Sequence, residues 1–187
     1  MMKNAPAFQS QPRMPKNRDS RRDRLLREAE GYLELQMPAY ALEALDRIEN
    51  PGDAAFNVSY LRGMAYREQR DHAKALVEFT KAGELEPDNI ALLLAMAWCF
   101  KRVDQIPQSI AMLDRAYKIA PKEALILYNL SCYWSLLGNK TQALSWLGRA
   151  LRLDGSFRDL IADESDFDSL RHDPDFQLVI GKPGEVV

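Results

Sequence analysis

A thirty-four-residue period runs four times through this chain without a slip. With unit starts at Arg22, Phe56, Ile90 and Ala124, like residues fall on like. The eighth position is small throughout: Ala29, Gly63, Ala97, Ser131. The eleventh is aromatic: Tyr32, Tyr66, Phe100, Trp134. The twentieth is small again (Ala41, Ala75, Ser109, Ala143), followed by a branched aliphatic (Leu42, Leu76, Ile110, Leu144). The twenty-fourth is large and apolar: Leu45, Phe79, Leu113, Leu147. The twenty-seventh reads Ile48, Ala82, Ala116, Ala150. A fixed period of this length marks a stacked repeat, in which each unit buries its apolar face only against its neighbours.

Within each unit the apolar residues recur at three- and four-residue spacing, which is helical. Pro38 and Pro107 fall where a second helix would start and a missing N–H costs nothing. Asp71 is placed to cap the helix over 73–85, and Gly138-Asn139 to end one helix and begin the next. Pro87 and Pro121 mark new units. The reading is eight helices of about 12–15 residues in antiparallel pairs. Small eighth and twentieth residues let two helices approach, the aromatic eleventh fills the space between units, and a small twenty-seventh lets the next unit dock. Ile48 breaks that rule and predicts looser packing between the first two units.

This pattern resembles the tetratricopeptide repeat over residues 22–157. The match is fullest in the second unit, with Gly63, Tyr66, Ala75, Phe79, Ala82 and Pro87. It is degenerate in the first and fourth, where Asp53 and Gly155 replace the proline of the thirty-second position. Glu28 and Arg62 also replace a leucine of the first helix. The resemblance implies an all-α fold, a right-handed superhelix (α-solenoid) of antiparallel helix pairs, with units at 22–55, 56–89, 90–123 and 124–157 inside a repeat region of 19–157. Residues 158–180 do not continue the period and are expected to cap the open end. Phe157, Leu160, Ile161, Phe167, Leu170, Phe176 and Ile180 would face the stack, and carboxylates would face water. Asp173 before Pro174 starts a helix there. Residues 1–18, with Pro6, Pro12 and Pro15 and no apolar period, and residues 181–187 are expected to be tails.

In the resembled family the second, fifth, ninth and twelfth positions line a concave face. On this chain they are Asp23, Leu26, Glu30 and Leu33; Asn57, Tyr60, Met64 and Arg67; Ala91, Leu94, Trp98 and Lys101; Leu125, Tyr128, Cys132 and Ser135. The spacing keeps each set on one helical stripe. The expected partner-binding groove is Leu26, Tyr60, Met64, Arg67, Leu94, Trp98, Lys101 and Tyr128. Its middle is apolar and aromatic, the composition of a binding surface rather than ordinary exposed surface. Two alternatives stay open: some of these side chains pack within the stack, or the tail around Phe8 and Met14 fills the groove. The family's clamp for C-terminal carboxylates needs Lys, Arg and Asn at positions five, six and nine. Positions five and nine here are Leu26, Tyr60, Leu94, Tyr128 and Glu30, Met64, Trp98, Cys132, and the sixth adds only Arg27 and Asn129, so that clamp is absent. The expected ligand is an apolar extended segment or amphipathic helix.

Composition removes other classes. A net charge of −2 argues against a nucleic-acid binder. The charge is unevenly placed: residues 1–24 hold seven Lys/Arg and two Asp, and residues 152–187 hold four Lys/Arg and nine Asp/Glu. The basic run from Arg18 to Arg24 reads as a solvated helix start, an acidic partner, RNA or a membrane surface being the alternatives. Hydrophobic residues make up 47% of the chain, enough for a core without metal or disulfide staples. Cys99 and Cys132 read as buried, reduced thiols. No run of eighteen apolar residues and no apolar leader is found, so neither a membrane span nor a secretory signal is expected. His72 and His172 are isolated, and no phosphate loop or hydrolase motif occurs, so no catalytic set, metal or cofactor is expected. The run Asp163-Glu164-Ser165-Asp166-Phe167-Asp168 lacks a calcium loop's glycine and terminal glutamate and reads as a solvated face.

The expectation is a non-enzymatic, cytoplasmic, bacterial-type adaptor. It would bind a protein or peptide, with no small-molecule substrate and no membrane partner, and with room for weak self-association. A secretion chaperone of tetratricopeptide type and a self-assembling structural subunit are the alternatives.

Overall fold

The computed structural model describes residues 21–181. The tail expected over 1–18, the start of the basic run, and all but Gly181 of the tail expected over 181–187 lie outside the described residues. Eight helices follow one another: α1 (Arg21–Glu34), α2 (Pro38–Asp46), α3 (Ala55–Glu68), α4 (His72–Leu85), α5 (Ile90–Arg102), α6 (Ile106–Ile119), α7 (Ala124–Leu136) and α8 (Lys140–Leu153). Each helix packs on the next, so the pairs α1/α2, α3/α4, α5/α6 and α7/α8 stack in chain order as an α-solenoid. After α8 come a 3-10 turn (Gly155–Phe157), the short α9 (Arg158–Ile161), a 3-10 helix (Ser165–Leu170) and α10 (Pro174–Ile180). The 165–170 helix lies on α7 and α10 lies on α8. Strands are absent among the described residues.

The turn inside each unit is built the same way four times. Gln36, Arg70, Asp104 and Gly138, all at the fifteenth position, are left-handed, with φ between 57° and 71°. In each unit their N–H groups bond back to the helix, as Arg70 does to the Arg67 carbonyl at 3.0 Å, and the next residue bonds one step further back, as Asp71 does to Tyr66 at 2.9 Å. This double closure satisfies the last carbonyls of the first helix. Asp71 and Asn139 then cap the second helix, accepting from the amides of Lys74 and Gln142 at 3.1 Å. Asn89 caps α5 by accepting from the Leu92 amide at 3.1 Å.

The small positions behave as spacers. Ala29, Ala41, Ala75, Ala82, Ala116, Ala143 and Ala150 are buried between helices. Gly63 shows how tight the approach is: a Cβ there would lie 2.4 Å from the Phe79 ring. The one unit with glycine at the eighth position is the one with phenylalanine at the twenty-fourth. The larger ring takes the volume that a methyl occupies elsewhere.

Two expectations need correction. Helix α2 has 9 residues, not 12–15. Pro51 stands two residues earlier in its unit than Pro87 and Pro121 do in theirs, and its ring would clash with the carbonyl four residues back, at Arg47, which is where α2 ends. Gly52, with φ +52°, turns the chain into the next unit. Ile48 is half-buried there, lining a cleft of about 230 Å³ with Arg22, Leu25 and Arg47. Second, Leu160 does not face the stack but is 54% exposed. Ile161, Phe167, Leu170 and Phe176 are buried and join the core of the last two units, while Phe157 and Ile180 are half-buried against it.

Candidate functional site

A cleft of about 530 Å³ crosses the first helices of the second, third and fourth units. It is lined by Tyr60 and Arg67 from α3, Ala91, Leu94, Ala95 and Trp98 from α5, and Asn129 and Tyr133 from α7. Met64 lies behind it, half-buried with Tyr60 and Trp98 against the core around Phe79. The stripe spacing puts Tyr60, Met64 and Arg67 on one side of α3, and Ala91, Leu94 and Trp98 on one side of α5, because positions separated by three and four share a helix face.

Trp98 is the centre of a cationic cage. The guanidinium of Arg102 lies 4.8 Å from its ring centre and that of Arg67 5.6 Å. His72, the first residue of α4, sets its ring edge-on at 5.2 Å. Guanidinium groups over an indole face are attracted by the ring quadrupole. Burial, and then the charge of Arg102, lower the His72 pKa, so the imidazole is held neutral at pH 7. Among the described residues neither Arg67 nor Arg102 has a carboxylate within ion-pair distance. On the same cleft, burial raises the Tyr60 hydroxyl's pKa, partly offset by Arg67.

The other end of the stripe is closed. Tyr128 is 4% exposed: Phe157 stacks on it at 4.7 Å and Phe167 meets it edge-on at 6.0 Å. Lys101, expected in the groove, is paired with Asp166, which is itself 5% exposed. The run 163–168 is therefore not simply a solvated face, because it includes a buried carboxylate. Leu26, at the first unit, is 8% exposed and packs into the core with Ala29, Ala41 and Val58. Of the eight expected groove residues, Tyr60, Arg67, Leu94 and Trp98 line the open cleft and Met64 backs it. Leu26, Lys101 and Tyr128 do not line it, because the helix pair or the cap covers them. Asn129, Tyr133, Arg102 and His72 were missed. They lie off the stripe positions, and only the packing of neighbouring units brings them in.

The cap also gathers Cys132 Sγ and carboxylate oxygens of Glu164 and Asp166 within 4.8 Å of one another. Lys101 donates a hydrogen bond to Asp166, and burial pushes the Cys132 thiol well above its ordinary range, keeping it protonated. Cys99 is likewise buried and pushed up to about 11 by burial. Both cysteines are free, and a protonated thiol is a weak nucleophile.

The tetratricopeptide-repeat family model matches residues 66–130, from the end of α3 into α7. Residues 66–130 are tetratricopeptide repeat. Solved structures give the same fold. A MamA double mutant (RS-1) superposes with a TM-score of 0.70 at 16% identity, over 86% of this chain and 93% of that one. Another MamA crystal structure gives 0.67 at 14% identity, over 76% and 83%. YrrB, described as a tetratricopeptide-repeat protein with an unusual peptide-binding site, gives 0.68 at 15% identity, over 83% and 80%. No curated protein resembles the chain closely enough in sequence to count as a match. Tetratricopeptide-repeat proteins serve as protein–protein interaction modules, and the open cleft lies largely inside the matched segment.

Proposed function

We propose that this chain is a non-enzymatic, cytoplasmic adaptor that holds a segment of a protein partner in the open half of its groove, over Tyr60, Met64, Arg67, Leu94 and Trp98. The observation that carries the reading is the Trp98 cage: a half-buried indole with two guanidinium groups over its ring, neither with a carboxylate partner among the described residues, at the middle of a cleft spanning three helices. Large aromatic and Arg side chains in a concave setting are the residues that concentrate interface energy. A photo-reactive phenylalanine analogue at position 94 tests it in the protein's native cells, with position 85 on the outward side of α4 as control. A discrete adduct at 94, missing at 85 and lost on Trp98→Ala, is expected. Equal labelling at both positions would sink the groove reading.

Self-assembly is the second reading, favoured by Leu35, Met37 and Tyr40. These are 68%, 37% and 49% exposed around the first unit's turn, at the end opposite the cap. A mass that rises with concentration in sedimentation, and falls on Leu35→Glu, would favour it.

A further inference from the structure

We infer that the open half of the groove takes an acidic–aromatic segment of a partner protein, one in which a carboxylate residue stands directly before an aromatic one. This rests on the groove reading above and names what the groove recognises. The chain itself supplies the precedent, because its cap occupies the last seat of the stripe. That seat consists of the twelfth residue of the third unit, Lys101, and the fifth and ninth residues of the fourth, Tyr128 and Cys132. The occupant is Asp166-Phe167. The carboxylate pairs with Lys101 and the next ring packs against Tyr128, whose other neighbour is Phe157.

One unit earlier the same positions read Arg67, Leu94 and Trp98. The periodic backbone therefore offers a second seat with a cation at the twelfth position and large apolar surface at the fifth and ninth. Here the cation is a guanidinium and a second one, Arg102, stands over the same indole. Two cations with no anion among the described residues favour a carboxylate, and guanidinium groups bind carboxylates with directional, paired hydrogen bonds. Tyr60 and Leu94 provide the adjoining surface for a ring.

Neither end of the chain carries a carboxylate residue directly before an aromatic one. Residues 1–24 carry seven Lys/Arg against two Asp, the same sign as the cage. Residues 181–187 hold Glu185 but no aromatic. A second copy's Asp166 and Phe167 are already buried in that copy's own cap.

The test is selection of random displayed peptides on the full chain, with parallel selections on Arg67→Glu and Trp98→Ala chains whose thermal melts show that they are folded. Arg67 is only half-buried, so its variant keeps the test open if Trp98→Ala is unstable. The expected result is enrichment of Asp or Glu immediately before Phe, Tyr or Trp on the wild-type chain. A synthetic copy of such a peptide should bind about tenfold or more weakly to Arg67→Glu, and its affinity should fall with salt. Enriched peptides that lack carboxylates, yet depend on Trp98, would overturn this inference and leave the groove reading standing. Peptides that bind all three chains alike, or no enrichment on the wild-type chain over either variant, would overturn both. Enrichment of basic peptides would overturn the acidic–aromatic assignment.

Discussion

The two halves of the stripe carry equivalent positions and meet different fates. In the half that ends at the cap, Tyr128 and Cys132 are buried and Lys101 is neutralised by Asp166. In the half over the second and third units, Trp98 and Leu94 stay half-buried around a cleft and Arg67 keeps its charge unmatched among the described residues. A repeat register therefore fixes which face of a helix a residue occupies. It does not fix whether that face remains a surface. What decides the second point is the non-repeating segment, which here closes one end of the groove with an ion pair and ring contacts.

Truncating one ring in each half should separate them most strongly. Phe167 is fully buried against Tyr128 and Phe176, so Phe167→Ala should cost about 3–5 kcal/mol in denaturant unfolding. Trp98→Ala, at a half-buried site on the cleft, should cost about 1 kcal/mol. Equal costs would erase the distinction between core and surface. The charges should follow suit at smaller scale. Asp166→Ala leaves Lys101 half-buried and unpaired and should cost about 2 kcal/mol, whereas Arg67→Ala should lie within about 0.5 kcal/mol of wild type.

Much of this was legible in the sequence, for a physical reason. Spacer and filler residues must recur wherever identical helix pairs stack, so Ala75, Ala82 and Phe79 announce the fold by repetition. Tyr128 and Asp166 could not be read this way. Their burial comes from the cap's path across α7, which no period encodes, and an acidic run looks solvated until one of its members finds Lys101. The turns were hidden too. Only Gly138 signals a left-handed residue, while Gln36, Arg70 and Asp104 hold the same φ without a glycine's marker.

Two further variants sharpen the account of the open half's scaffold. Gly63→Ala should destabilise by about 1–3 kcal/mol through overpacking, despite alanine's higher helix propensity. The added Cβ would meet Phe79 at 2.4 Å, so pairing it with Phe79→Leu should restore most of the loss. A Gly63→Ala chain as stable as wild type would mean that α3 and α4 are not this close. Arg70→Gly should give a gain of up to about 1 kcal/mol in the same assay, from relief of a left-handed non-glycine residue. A loss there would contradict the turn geometry.

The central claim is that recognition belongs to the open half and structural closure to the capped half. The most direct measurement is titration calorimetry of one display-selected peptide against wild type, Trp98→Ala and Phe167→Leu, each with its thermal melt. The account predicts that Trp98→Ala melts near wild type and loses binding. It also predicts that Phe167→Leu melts lower and binds unchanged where it is folded. Binding that survives Trp98→Ala but disappears with Phe167→Leu would place the partner's seat at the cap and contradict the account.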